Sequence, residues 1–236
     1  MTTASDLLQR CREFYLDDAE PDYLWPDDYL LTALNDAERE ACERQRLLED
    51  ETTASVCQIS MASGTATYTL NSSIVLVDQI RLANGTLLAK KTVDELDADS
   101  SVWRTATGTP TSYVCHNQTI LVTPIPDDDD DGDKLYLSVW RRPITKITVD
   151  DSPEIAAEYH EHLLDWVCFR AYMRRDEDTF NPELAAAHRA LFDERFGPPI
   201  PAGVREHQRR SPKSLRLRPT PYIATSITTD SDDDDD

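Results

Sequence analysis

The sequence predicts an α+β protein: amino- and carboxy-terminal helices form an antiparallel helical bundle, an antiparallel β-sandwich or barrel is inserted between them, and an extended tail follows. Three observations carry that reading. Apolar residues recur at helical spacing from Ser5 to Leu48 and again from Ser152 to Phe196, the period falls to two between Thr53 and Ile144, and no helical period remains beyond Pro201. The units implied are residues 1–52 and 151–197, sharing one helical domain, the β domain 53–150, and the tail 198–236.

The first helix follows from Leu7, Leu8, Cys11 and Phe14 at helical spacing, with Ser5 as its cap. A longer one begins at Pro26, whose fixed φ suits a first turn. Asp27 and Asp28 favour the dipole there, and Leu30, Leu34, Ala37, Ala41 and Leu48 line one face. Strands are expected in SVCQISM, TATYTL, IVLVDQIRL, TSYVCH, TILVTP and KLYLSVW, with turn chemistry at Ser63-Gly64, Ala83 to Gly85 and His116-Asn117, and a helical turn in TVDELDA. The run DDDDDGD, Asp127 to Asp133, then falls where a hairpin loop belongs, and Asn-Gly is expected to replace it without loss of stability. Ser152 and Pro153 predict the start of a third long helix. Its stripe of Ala156, Tyr159, Leu163, Val167 and Ala171, with Leu164, Cys168 and Tyr172 beside it, is broad enough to touch two surfaces. Asn181 and Pro182 start a last helix carrying Leu184, Ala187, Leu191 and Phe196, and Gly197 with Pro198 and Pro199 ends it.

The tail combines Arg205, Arg209, Arg210, Lys213, Arg216 and Arg218 with Leu215, Leu217, Tyr222 and Ile223. Its LRLR alternation and the β-prone YIATSIT suit a strand added to another chain's sheet edge, so these ten residues are the expected contacts to a partner. Truncation after Gly197 is expected to leave the subunit folded.

Composition narrows the function. Lysine and arginine number 24 against 45 aspartates and glutamates, a formal charge of −21, and lysine supplies only 5 of the 24 bases. Such a surface repels itself unless salt screens it, which fits a halophilic host, and it disfavours tight wrapping of nucleic acid. Cys11, Cys42, Cys57, Cys115 and Cys168 are odd in number and form no CxxC pair, so neither a disulfide framework nor a zinc knuckle is indicated. No apolar run resembles a signal peptide or a membrane span, so the protein is expected in solution.

Candidate chemistry is sparse. DDDDDGD places Asp127, Asp129, Asp131 and Gly132 as in a calcium loop, but position twelve is Ser138 instead of a bidentate glutamate, and the flanks read as strands. His160, Glu161 and His162 lack the spacing of a zinc protease, since Leu164 stands where the second histidine belongs. No phosphate-cradling glycine loop or nucleophile elbow occurs, and Trp25, Trp103, Trp140 and Trp166 are scattered as core or interface anchors are. No catalytic residue, cofactor or metal site is therefore assigned.

The order of motifs is informative where each alone is weak: RxxxLDD (Arg12 to Asp18), WPDDYLLTALNDAERE (Trp25 to Glu40), WRTATGTPTSYV (Trp103 to Val114), ILVTPIPD (Ile120 to Asp127), LYLSVWRRP (Leu135 to Pro143) and PEIAAEYHEHLLDWVCFRAY (Pro153 to Tyr172). Over about residues 3 to 197 this series resembles the head-to-tail adaptor proteins of tailed viruses, including the tail-tubular adaptors. Pro26, where relatives carry a small capping residue, and the aspartate insertion depart from the pattern.

The resemblance implies a virion structural protein without catalysis. It implies a dodecameric homo-oligomeric ring assembled in the host cytoplasm, bound to the portal protein on one side and to a tail or nozzle protein on the other. DNA would pass through its channel non-specifically, with no membrane contact. Packed helices would supply the subunit interface, through Trp25, Leu30, Tyr159, Leu163, Trp166 and Phe169. The alternative, resting on the aspartate run, is a calcium-stabilised β-domain binding module of the tail or tail tip.

Raising salt from 0.1 M to 1 M shortens the screening length from about 10 Å to about 3 Å. The melting midpoint is therefore expected to rise with salt. A flat or falling midpoint removes the halophile reading.

Overall fold

The computed structural model describes residues 2–18, 22–176 and 178–211. Helix α1 (Ala4–Arg10) is capped by Thr3, not Ser5: the Thr3 hydroxyl accepts from Asp6 N–H, and the Asp6 carboxylate accepts from Thr3 N–H. It runs into a π-helical segment, Cys11–Leu16, that stops at Asp17 in the left-handed region. Helix α2 (Asp27–Gln45) begins one residue after Pro26, whose carbonyl accepts from Tyr29 and Leu30, and ends at Arg46 with φ 54°.

The next four strands and two short helices are β1 (Leu48–Asp50), α3 (Ala54–Cys57), β2 (Gln58–Ser60), β3 (Thr67–Thr69), β4 (Ile74–Leu82) and α4 (Val93–Asp99). Between β4 and α4 lies β5 (Ala89–Lys90), and β6 (Ser112–His116), β7 (Thr119–Thr123) and β8 (Lys134–Arg141) follow. They make two separate four-stranded sheets and no barrel. In the first, β8 pairs with β4 along one edge, while β1 and β2 take the two ends of its other edge, all antiparallel. The second has the order β3-β7-β6-β5, with β5 parallel to β6. Side chains of both sheets, among them Ile80, Tyr113, Ile120, Leu135 and Leu137, share one buried cluster.

A second cluster lies among α1, α2, α5 (His160–Tyr172) and α6 (Pro182–Phe196), built on Leu7, Leu30, Leu34, Leu163, Phe192 and Phe196. The bounds of α6 follow its local signals: Asn181 caps Leu184 N–H at 3.1 Å, Pro182 fills the first position, and Gly197 closes it with φ 77°.

Three expectations are corrected. The third long helix does not begin at Ser152, because Glu38 Oε1 accepts from the N–H groups of Glu154 and Ile155 at 2.5 and 3.1 Å. That holds this stretch as a bridge, and helix starts only with the turn Ala157–Tyr159. The aspartate run is not a hairpin loop, because β7 belongs to one sheet and β8 to the other. Residues after Pro201 are not all extended: α7 (Ala202–Arg210) is a helix lying on β4 and β6.

The crossing segment is stitched to residues 61–64. Ser63 Oγ donates to Asp128 at 2.6 Å and Ser63 N–H to Asp131 at 3.0 Å, while the backbones of Met61 and Gly64 bond to those of Gly132, Asp133 and Pro126. Asp130 is buried. Replacing Asp127 to Asp133 by Asn-Gly, a turn that joins adjacent strands of one sheet, should therefore lower the melting midpoint by many degrees. An unchanged midpoint would show the crossing to be dispensable.

Candidate functional site: a polar seam, an uncovered helix face and an anchored arm

Helical and β parts meet at a polar seam. Arg141, the last residue of β8 and only 8 % exposed, donates from Nε to Asp50 at 2.6 Å and from Nη1 and Nη2 to the two oxygens of Glu154, both at 2.9 Å. Asp50 also accepts from the N–H groups of Thr52 and Thr53 at 3.0 Å, and Glu38 on α2 holds the far side of the same bridge. Burial pushes the Glu38 carboxyl upward against the pull of the Ile155 and Glu154 N–H groups. At Asp50 burial pushes up as well, but the Thr53 and Thr52 donors and the Arg141 guanidinium win and hold it well below the usual carboxylate range.

Two further arginines tie α2 into the helices. Arg12 reaches Asp18, the Trp25 carbonyl at 2.6 Å and Asp27 at 2.6 Å, fixing the π-helical segment to the start of α2. Arg44 binds Glu40, Asp193 and the Gly197 carbonyl, securing the end of α6.

The residues expected at a subunit interface divide. Trp25, Leu30 and Leu163 lie in the chain's own core, with Trp25 Nε1 donating to the Ala171 carbonyl at 2.9 Å, so a neighbour cannot reach them. Tyr159, Trp166 and Phe169 are half-buried; Trp166 packs on Phe169 and Phe192, and Tyr159 on Phe196. Sequence reasoning missed the uncovered face of α6. Ala185, Phe192 and Phe196 turn to the core, whereas Leu184 and Leu191, seven residues apart and so on one face, point to solvent with Phe180 nearby in sequence. Leu191 is 50 % exposed and Phe14, on the π-helical segment, 74 %. Large apolar residues on both faces of one helix were the available signal.

The expected partner-binding residues also divide. Arg205 pairs with Glu43 at 2.6 Å, Arg209 donates to the Val75 carbonyl at 2.9 Å, and Arg210 pairs with Glu206. Arg205 and Arg209 therefore anchor α7 to its own subunit, while the Arg210–Glu206 pair lies within the helix itself. Truncation after Gly197 would remove that anchor, so the clean cut lies after Ser211. Lys213, Leu215, Arg216, Leu217, Arg218, Tyr222 and Ile223 fall outside the described residues.

Of the metal candidates, Asp127 caps Asp129 N–H and Asp131 accepts from Ser63. Among the described residues no group of three or more histidines, cysteines or acids is arranged to hold an ion. His160 is buried with Nε2 2.9 Å from the Ile155 carbonyl, and no helix among the described residues is long and apolar enough to cross a membrane.

Charged groups committed to structural ties lie beside an uncovered apolar helix face in a mixed α+β fold. The chain belongs to the SU10 adaptor protein family, whose model matches residues 2–220. This is a family of phage structural adaptors and not of enzymes, in keeping with the ordered motifs, and it makes the chain a virion component. Among curated proteins none matches the chain.

Arg141→Met should cost about 3–5 kcal/mol, because it leaves the buried Asp50 carboxylate without its partner. Asp50 has a depressed carboxyl, so its contribution is complete above the ordinary carboxylate value of about 4 and is lost as pH falls through the lower folded value. Urea unfolding below about pH 4 should thus show an acid loss that is smaller in Asp50→Asn. Equal acid slopes in the two proteins would remove Asp50 from the account.

Proposed function

We propose that the protein is the head-to-tail adaptor of a tailed virus: a dodecameric ring, formed in the host cytoplasm, that joins the portal to a tail or nozzle protein and lines the DNA channel. The observation that carries this reading is the family match over residues 2–220, which takes in both the helices and the sheets. A ring built from a heterologous contact requires each subunit to cover two different patches, and the exposed face of α6 with Phe14 suits one of them. Net charge of −21 suits a passage for DNA, since acidic walls do not hold phosphates. The basic residues from Lys213 to Arg218 suit an acidic portal surface.

The test is native mass with and without co-expressed portal, on the full chain and on a chain ending at Ser211. A ring in either full-length sample is the expected result, with portal attachment weakened by the truncation. Monomers in both full-length samples would overturn the ring. Equal portal binding by both chains would remove the tail from the interface.

A further inference from the structure

Helix α7 is bound to its own chain almost wholly by polar groups. Arg205 Nη1 sits 2.6 Å from Glu43 Oε2, Arg46 Nη2 donates to Gln208 Oε1 at 2.6 Å, Arg209 Nε donates to the Val75 carbonyl at 2.9 Å, and Asn117 N–H donates to Glu206 at 3.0 Å. The sole buried residue of this helix is Gln208, and Val204, one of its few apolar residues, is 46 % exposed. The fit is also incomplete, since the buried Nε of Arg205 finds no acceptor among the described residues. What α7 covers is a shallow apolar slot between the two sheets, lined by Leu70, Val75, Val77 and Cys115 and plugged by Arg209.

The connection to α6 is Gly197-Pro198-Pro199-Ile200-Pro201. Three prolines in five residues favour extended chain and resist a tight return, and the segment spans at most about 16 Å. Short, stiff hinges followed by a separable element are the setting in which identical chains exchange that element. Leaving the slot uncovers its apolar lining, and the same slot on an identical chain offers every contact again.

We infer that in the assembled particle α7 is exchanged, each subunit's helix occupying the β4–β6 slot of a neighbouring copy. This rests on the ring reading above. The polar contacts are the same in either position, so exchange costs little in contact energy, and the proline hinge no longer has to turn back on its own body. Once a ring holds neighbours side by side, the high local concentration of the adjacent slot removes the dilution penalty of the crossing. The exchanged helix then locks subunits together.

The experiment uses the adjacency of His116 and Glu206, whose Nδ1 and Oε1 lie 3.6 Å apart. All five native cysteines are buried, so introduced thiols react selectively. Chains carrying only His116→Cys and chains carrying only Glu206→Cys are mixed before assembly and treated with a short bifunctional thiol reagent; the double variant is treated alongside. Exchange predicts a product of doubled denatured mass from the mixed assembly. A ring of full mass in which the double variant links only within single chains, and the mixture gives no doubled product, overturns exchange and leaves the ring standing. Monomers that link only within single chains overturn both. Lengthening the hinge with glycine and serine supplies a second variant: relaxed arms return to their own chains, and the doubled product falls as the internal one rises.

Discussion

The arrangement of the whole molecule depends on Arg141. Its guanidinium closes a path from Asp50 in the β part through Glu154 to the bridge held by Glu38 on α2. The two apolar clusters are separate, so apolar burial stabilises each part without fixing how they meet. A planar fork that must satisfy Asp50 on one side and both oxygens of Glu154 on another admits one relative position. Desolvating these charges is costly, and the cost is offset only while every partner is present.

Helix α2 extends the same logic along its length. Glu38 points to the bridge, Glu43 takes Arg142 at 2.7 Å and Arg205 at 2.6 Å, Arg44 secures the end of α6, and Arg46, just past the helix, meets Gln208. One amphipathic helix therefore presents its apolar stripe to the helical cluster and, from its last turns and the residue after them, distributes polar ties to the end of β8, to α6 and to α7. Nearly all the cations in these ties are arginines. The scarcity of lysine has a structural counterpart here, because a lysine could supply the charge at these places but not two parallel hydrogen bonds.

What the sequence disclosed was what local chemistry determines. Asn181, Pro182 and Gly197 bound α6 because a cap, a first-turn proline and a left-handed glycine act within a few residues. The capping box at Thr92 and Glu95 likewise begins α4. Where a distant residue decided, the reading failed: Ser152-Pro153 is a sound local start signal overridden by Glu38, more than a hundred residues earlier. Alternation in TILVTP and KLYLSVW identified β7 and β8 as strands, but a period of two carries no information about which sheet each joins. Helix α7 escaped because its contacts are polar and leave no apolar period; its local signs were the pairs of Glu206 with Arg209 and Arg210, three and four residues apart. At the candidate interface, Leu30 and Leu163 carry the strongest apolar signal because they build the core. Leu184 and Leu191 carry the same signal with nothing over them, and a single chain's pattern does not separate the two cases.

Burial also divides the electrostatics into two populations that respond to salt in opposite senses. Asp50 and Arg141 are shielded from counterions, so their attraction is weakly screened, whereas repulsion among the excess carboxylates acts across solvent and is screened strongly. Salt therefore favours the body of the subunit. The ties of α7 are more open, since Arg205 and Glu43 retain part of their exposure. Ions weaken these by more than they weaken the seam. A highly charged chain built this way grows firmer at its centre and looser at its arm under the same change in solvent.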